Sequence, residues 1–199
     1  MSGGAGAGPA QGPAAALCTA LARQCCALLR DTYLPRLEQS LAGIKAADLW
    51  WRPHPDTTSI GNLLLHLEGN VRQWIVSGLG GAPDRRVRES EFAAQQGAEA
   101  PALLAALTAT IGRACEVIER LPPARWTERV TIQDFEVTVL AAVLHIVEHF
   151  SWHTGQITWI AKLRKGAGHG IAYYDDDALN AARNAGDAQA PAGAPRLAP

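Results

Sequence analysis

Apolar residues recur every three or four positions through most of the chain, a spacing that predicts helices. The first predicted helix spans residues 14–44, and Pro35 should kink it because proline removes a helical hydrogen bond. The second predicted helix spans residues 60–77, where one of the hydroxyl residues at 57–59 can cap the first turn. The pattern places two amphipathic helices in the first half of the chain.

The second half contains two more predicted helices, at residues 101–121 and residues 137–165. Residues 79–100 are rich in glycine and charge and are predicted to form an irregular crossover, and residues 129–132 can form a short extended piece. Such a crossover is longer than the roughly 2–8 residues that join neighbouring antiparallel helices. It can carry the chain back along the bundle, so that the second and third helices are parallel. The sequence therefore predicts an all-α fold, a four-helix bundle with up-down-down-up topology.

Both ends of the chain are rich in alanine, glycine and proline, and they offer little apolar surface to offset the entropy of ordering. We expect disordered tails at residues 1–13 and 187–199 around one domain at residues 14–186. The net charge is -1 without a lysine and arginine run, so nucleic acid is not expected as a partner. No apolar run reaches the about 18 residues of a membrane span, and the first residues do not resemble a secretory signal. A cytoplasmic location is the resulting expectation, with the four cysteines as reduced thiols.

Three histidines recur at steps of four in the fourth predicted helix: His145, His149 and His153. Steps of four place all three within about 80° of arc on one face of a helix. His149 and His153 fall inside the apolar stripe of that helix, and His145 lies on its flank. Two histidines at this spacing can chelate one metal ion, as they do in HExxH helices. The alternative is a pair of core histidines satisfied by ordinary hydrogen bonds.

The second predicted helix offers a third ligand, because His66 borders its apolar stripe. Asn62, Asn70 and Gln73 share that flank, and a polar seam of this kind favours a helix that faces a wet cavity. Three neutral imidazoles suit zinc, nickel or iron(II), and they leave a coordination position for water. The sequence therefore predicts one divalent metal ion held between the second and fourth helices by three histidines, His66, His149 and His153.

Two segments, TTSIGNLLLHLEGNVRQWIVSGLGG and LHIVEHFSWHTGQITWIAKLRKG, resemble the DinB/YfiT superfamily of metal-binding bundles. The resemblance spans roughly residues 14–166 in the order and spacing of the helices. It implies a four-helix up-down-down-up bundle, the same three histidine ligands, zinc or nickel as the usual ion, and a homodimer. The family often has arginine where this chain has Thr154. That departure concerns the substrate more than the metal, because the position lies off the ligand face.

Some members of this family are transferases or isomerases that use low-molecular-weight thiols such as mycothiol or bacillithiol. The resemblance implies a metal-dependent transferase in which the ion activates a thiol cofactor to attack a small electrophile. Two alternatives stay open. One is a non-catalytic metal-containing stress or interaction protein, and the other is a metal-dependent hydrolase.

The predicted contacts with a small-molecule substrate and a thiol lie close to the predicted ion. Asn70, one turn beyond the histidine of the second helix, is the predicted catalytic residue and would orient a bound thiol, water or substrate carbonyl. Asn62 and Trp50, with Trp51 as an alternative to Trp50, are predicted to line the cofactor pocket. A structural ion would instead be closed by a fourth protein ligand, for which His145 is the nearest candidate.

Overall fold

The structure, a computed structural model, describes residues 12–174, and over this range the chain is mostly helical with one two-stranded sheet. The predicted helical character is thereby confirmed. The disorder predicted for the tails falls mainly on residues 1–11 and 175–199, which lie outside the described range, as does the predicted end of the domain at residue 186. Pro13, assigned to the first tail by the sequence prediction, instead begins the first helix.

The first predicted helix consists of three consecutive parts: α1 at Pro13–Ala27, a π-helical segment at Leu28–Tyr33, and α2 at Leu34–Leu41. Pro35 lies in the first turn of α2, directly after the π-helical segment. Because proline lacks an N–H and its ring crowds the carbonyl four residues back, wider turns before it allow the helix to continue. Pro35, predicted to kink the helix, thus follows a segment of wider turns. A short helix, α3 at Ala46–Leu49, follows.

Helix α4, Ile60–Val71, begins with a capping box between Ser59 and Asn62. The Ser59 hydroxyl accepts the Asn62 N–H, and the Asn62 side-chain oxygen accepts the Ser59 N–H. These bonds satisfy groups that a helix N-terminus otherwise leaves without partners. A π-helical segment at Arg72–Ser77 extends α4. The crossover that follows is not wholly irregular as predicted, because it contains a short helix, α5 at Arg88–Ala93.

The second half of the chain holds α6 at Ala100–Glu119 and α7 at Val139–Lys165, close to their predicted ranges. Between them lie a 3-10 helix at Pro123–Thr127 and an antiparallel hairpin of β1, Arg129–Ile132, and β2, Phe135–Thr138. The predicted extended piece is confirmed as β1, whereas β2 was not predicted. The two residues that join the strands have φ values of 52° and 63°, as a tight turn between twisted strands requires.

The long helices pack around a shared apolar core. Helix α4 packs against α6 and α7, and the α1–α2 segment contacts the same two helices. Helix α6 is long and apolar enough to cross a membrane by length and composition alone, but its apolar face lies in this core, as in a core helix. Burial of these side chains is the main force that holds α4 beside α7. Fully buried members of the core include Leu29, Leu37, Leu63, Leu67, Leu107, Ile111, Ile146 and Phe150.

Candidate metal centre

Three imidazole rings meet where α4 faces α7. Nε2 of His66, on α4, lies 3.1 Å from Nε2 of His149 on α7. Nε2 of His153, also on α7, lies 3.1 Å from the same His149 atom. One nitrogen from each residue lies within 4.8 Å of the others, so the three histidines could hold a metal ion. His66, His149 and His153 are called the metal group below. The structure thus brings together the three histidines that the sequence singled out.

Helix geometry supplies two of these rings and tertiary packing supplies the third. His149 and His153 are four residues apart on α7 and so project from one face, with ring centroids 4.4 Å apart. Both are half-buried. His66 lies in the middle of α4 and is only 5% exposed. Its ring reaches the other two only because α4 packs against α7.

Glu91, on the crossover helix α5, forms a hydrogen bond with the second ring nitrogen of His66. His66 Nδ1 lies 2.9 Å from Glu91 Oε2, and both side chains are more than nine-tenths buried. Because an ionised carboxylate can only accept, Nδ1 carries the proton and Nε2 presents a lone pair. Nη2 of Arg86 also lies 3.1 Å from Nδ1 of His66. Because Nη2 donates its hydrogen bond to Glu91 Oε2, we interpret its closeness to His66 as a result of the Arg86–Glu91 ion pair. A carboxylate behind a histidine ligand fixes the tautomer and the orientation of the ring.

The Glu91 carboxylate is itself held by Arg86. Arg86 Nε donates to Glu91 Oε1 across 2.7 Å, and Nη2 donates to Oε2 across 2.9 Å. Burial alone would raise the pKa of the Glu91 carboxyl, but the hydrogen bonds and charges of Arg86 and His66 outweigh it and hold the pKa below its ordinary value. Glu91 is therefore ionised at neutral pH, as the assignment of the His66 tautomer requires.

Gly69 of α4 allows this ion pair to approach the helix. A Cβ at Gly69 would collide with Oε1 of Glu91 and would lie 2.9 Å from Nε of Arg86. Any side chain at this position would push the carboxylate away from His66, three residues earlier on the same helix. The glycine is therefore part of the architecture of the site.

His149 and His153 differ in what holds their second nitrogen. His153 Nδ1 lies 2.6 Å from Oε1 of Gln156, which can only accept, so Nε2 of His153 presents a lone pair. Within residues 12–174, Nδ1 of His149 is buried without a hydrogen-bond partner. Nε2 of His149 faces the lone pairs on Nε2 of His66 and of His153. Because it has at most one proton to donate, one of these two lone pairs is left without a donor. A divalent cation at this point would accept all three lone pairs, so the donor set fits a metal ion.

Burial keeps His149 and His153 neutral. Burial and the positive charges that His153 and His66 can carry lower the pKa of His149 to about 3. Burial also lowers the pKa of His153, although its hydrogen bond with Gln156 opposes the change. Because an imidazole must be deprotonated to bind a metal, these rings are ready to do so at neutral pH.

Among the described residues, His145 is not part of the group formed by His66, His149 and His153. Its ring packs against Trp74 with centroids 4.1 Å apart and an interplanar angle of 36°, and its Nε2 lies 3.5 Å from Nδ2 of Asn70. Asn70, the predicted catalytic residue, is 4% exposed, and its Oδ1 is buried with no hydrogen-bond partner among residues 12–174. Asn70 thus lies one helical turn from the metal group with one acceptor unused.

Asn62, which the sequence predicts to bind the cofactor, uses its side chain for contacts within the fold. Its side chain is fully buried, and Nδ2 donates to the backbone oxygens of Glu91 and Ala94 across 2.7 and 2.8 Å. With the capping bonds of its Oδ1, the whole amide is used to hold the crossover against α4. Trp50, the other predicted cofactor contact, packs its ring on Gly61, where a Cβ would lie 2.7 Å from it. The half-buried Trp50 therefore fills space beside α4.

Glu91, Arg86 and Gln156 are the parts of the site that sequence reasoning missed. Glu91 lies in the charged stretch RRVRESEF, where its spacing does not distinguish it from the exposed Glu89. Arg86 carries no periodic signal, because it precedes α5 in the crossover. Gln156 did carry one, because it follows His153 by three residues and such positions are neighbours on a helix.

Comparison with known families agrees with this geometry. The family model of the DinB superfamily matches residues 29–157, more than half of the chain. The matched range contains α4, the crossover and the part of α7 that carries the metal group, so it includes all three histidines. No curated protein sequence matches the chain significantly.

Proposed function

This chain belongs to the DinB superfamily, and we propose that it is a metal-dependent transferase that joins a low-molecular-weight thiol to a small electrophile. The observation that carries the proposal is the convergence of one nitrogen each from His66, His149 and His153. Three protein ligands leave one position of a tetrahedral ion free, which is typical of catalytic zinc sites. An all-imidazole set suits zinc or nickel.

The chemistry of the proposal is a thiol transfer. A divalent ion bound here would lower the pKa of a thiol at its free position and so supply a thiolate at neutral pH. In the overall reaction a sulfur–carbon bond replaces the bond to the leaving group, which departs with its electron pair, and the thiol proton goes to solvent.

The chain's own residues would hold the geometry for this step. Glu91 orients the His66 ring through Nδ1, and Gln156 does the same for His153. Asn70 lies one helical turn from His66 with an acceptor unused among the described residues, and it can orient a thiol or a substrate. None of these three residues needs to bind the ion itself.

The proposal includes a four-helix bundle of up-down-down-up topology, made of the α1–α2 segment, α4, α6 and α7. The long crossover between α4 and α6 supports it, because it allows two successive helices to run parallel. A homodimer is also proposed. The exposed Leu17 and Leu144 offer apolar surface for such contacts.

The second candidate function is a non-catalytic protein in which the ion only holds α4 to α7. It is favoured by the nearly complete burial of His66 and by the origin of the ligands on two different helices. In this case the ion would contribute folding free energy and no chemistry.

Elemental analysis followed by a panel of thiols tests the proposal. Metal-loaded protein is mixed with monochlorobimane and with mycothiol, bacillithiol, glutathione or no thiol. We expect consumption of the electrophile to require one of the thiols and to disappear in His149→Ala. Fully metallated protein that consumes the electrophile no faster with any thiol than the buffer does would favour the second candidate. Metal removal would then lower the Tm as its main effect.

A further inference from the structure

A groove with uncharged walls lies beside the metal group. Its volume is about 470 Å³, and two of its lining side chains, Trp152 and Trp159 of α7, are 68% and 62% exposed. Indole rings left open to water mark surfaces that bind apolar molecules. The other lining residues come from α7 and from the segment before α4: Pro53, Thr57, Thr58, Gly155, Gln156 and Ile160.

Two of the lining residues touch a ring of the metal group. Gln156 Oε1 accepts the hydrogen bond from His153 Nδ1 across 2.6 Å. The Trp152 ring stacks on the His153 ring with centroids 6.2 Å apart and an interplanar angle of 18°. A molecule in the groove would therefore contact the side chains that position His153.

The lining indicates the chemistry of the occupant. No residue of the described chain that lines this groove carries a charge, whereas a second cavity is lined by Arg36 and Lys162. The volume falls within the roughly 300–1,000 Å³ of ligand pockets, which are mostly apolar with a few polar groups. Flat indole faces favour planar rings. Because Gln156 uses its oxygen on His153, its Nε2 remains as a donor for an acceptor on the ligand.

We infer that this groove binds the aromatic part of a neutral electrophile, with its ring against Trp152 and Trp159 and an acceptor atom at Gln156. The inference rests on the proposed function, since it names the substrate class of the same site. Gly155 provides the means to test it. A Cβ at Gly155 would meet no atom of the described residues within 4 Å, so a larger side chain there would enter the groove without disturbing the helix.

Equilibrium binding without any thiol tests the inference. The full chain is titrated with para-nitrobenzyl alcohol, which is neutral, and with the anion para-nitrobenzoate, and tryptophan fluorescence quenching is measured. We expect the neutral probe to bind about tenfold more tightly than the anion, because no charged group of the groove offsets the cost of desolvating the carboxylate. Gly155→Leu should weaken binding of the neutral probe by about the same factor. Gly112→Leu on α6, where an added Cβ also meets open space, is the matched control and should bind as the wild type does.

Cobalt(II)-loaded protein gives a second readout. Visible absorption of the ion should change when para-nitrobenzyl alcohol binds, because Gln156 and Trp152 contact His153, and the change should be absent in Gly155→Leu. Binding without a spectral change would overturn the connection to the metal group.

Other outcomes would overturn the groove itself. The first is equal binding of the two probes, and the second is wild-type affinity for the neutral probe in Gly155→Leu. The third is that the wild type binds neither probe and forms a dimer, which Gly155→Leu dissociates. The last outcome would assign the groove to a second copy of the chain. Because no turnover is measured, failure here leaves the transferase proposal intact, and failure of the thiol panel leaves the binding result intact.

Discussion

His66 Nδ1 donates to Glu91 Oε2 across 2.9 Å, although the two residues are 25 positions apart in the chain. The bond joins the middle of α4 to the crossover helix α5. It also leaves the opposite nitrogen of the ring, Nε2, directed at His149. The position of the crossover is therefore coupled to the position of a candidate metal ligand.

Removal of this carboxylate should weaken metal binding. We expect Glu91→Ala to lower the affinity for zinc by roughly 10–100-fold, because the His66 ring loses the partner that sets its tautomer. Glu89→Ala is the matched control, since Glu89 is an exposed carboxylate on the same short helix. Competition with a chromophoric chelator measures both variants. Equal affinities in the two would show that the Glu91 bond does not support the site.

A side chain at Gly69 should have a related effect without removing any polar group. We expect Gly69→Ala to displace the Glu91 carboxylate and to lower zinc affinity in the direction of Glu91→Ala. Alanine favours helices over glycine, so the variant gains about 1 kcal/mol from helix propensity against the cost of the collision. Gly112→Ala on α6 is the control, because open space surrounds its added Cβ. Wild-type affinity in Gly69→Ala would mean that the ion pair can shift without consequence.

The three-ligand assignment predicts a clear contrast between two histidines of α7. His149→Ala should abolish metal binding at equimolar ion, because two remaining imidazoles chelate poorly. His145→Ala should retain about one ion per chain, since His145 lies outside the group. Elemental analysis after gel filtration measures the occupancy of both. Loss of the ion in His145→Ala would make that residue a fourth ligand and would favour a closed, structural site.

Asn70→Ala should separate metal binding from turnover. Asn70 lies one helical turn from His66, and its Oδ1 has no partner among the described residues, so we expect the variant to keep its ion and to lose thiol transfer by roughly 10–1000-fold. Metal content and electrophile consumption are measured on the same sample. Unchanged turnover in metallated Asn70→Ala would remove this residue from the mechanism.

The low pKa of His149 predicts the acid sensitivity of the chelator-treated protein. An unfolded chain protonates this histidine near its ordinary pKa of about 6.5, whereas in the folded protein the pKa is about 3. The unfolded state therefore binds more protons, and stability falls as the pH decreases below the unfolded value. At about pH 5 we expect a loss on the order of 2 kcal/mol from this group relative to about pH 7.

Urea denaturation at the two pH values measures this loss. His149→Ala, also treated with chelator, should show a smaller difference because the titrating group is gone. Equal pH dependence in the two proteins would exclude His149 as the source.

Features governed by local periodicity were predictable from the sequence. The step of four residues between His149 and His153 predicts that they share a helix face. The apolar stripe that His66 borders predicts which face of its helix lies towards the core. A proline inside the first helix predicted a local irregularity in the form of a kink, and Pro35 follows a segment of wider turns. In each case the information lies within a few turns of one helix.

Features that depend on tertiary packing were not predictable. Glu91 and Glu89 are alike in sequence, and only the fold buries one of them against His66. The polarity of Asn62 indicated a contact with a ligand, and only the fold shows that its amide holds the crossover by hydrogen bonds to two backbone oxygens. Gly69 gave no sign that the ion pair would lie against it.

The separation of His66 and His149 along the chain has a thermodynamic consequence. Because the two residues are 83 positions apart, an ion that joins both side chains closes a very long loop. For a permanent link of that length, the chain-entropy treatment gives a loss of denatured-state freedom worth about 4–5 kcal/mol. An unfolded chain can keep the local pair of α7 on the ion but must close this loop to add His66. Tight binding is therefore a property of the assembled fold, and the ion discriminates against every conformation in which α4 and α7 are apart.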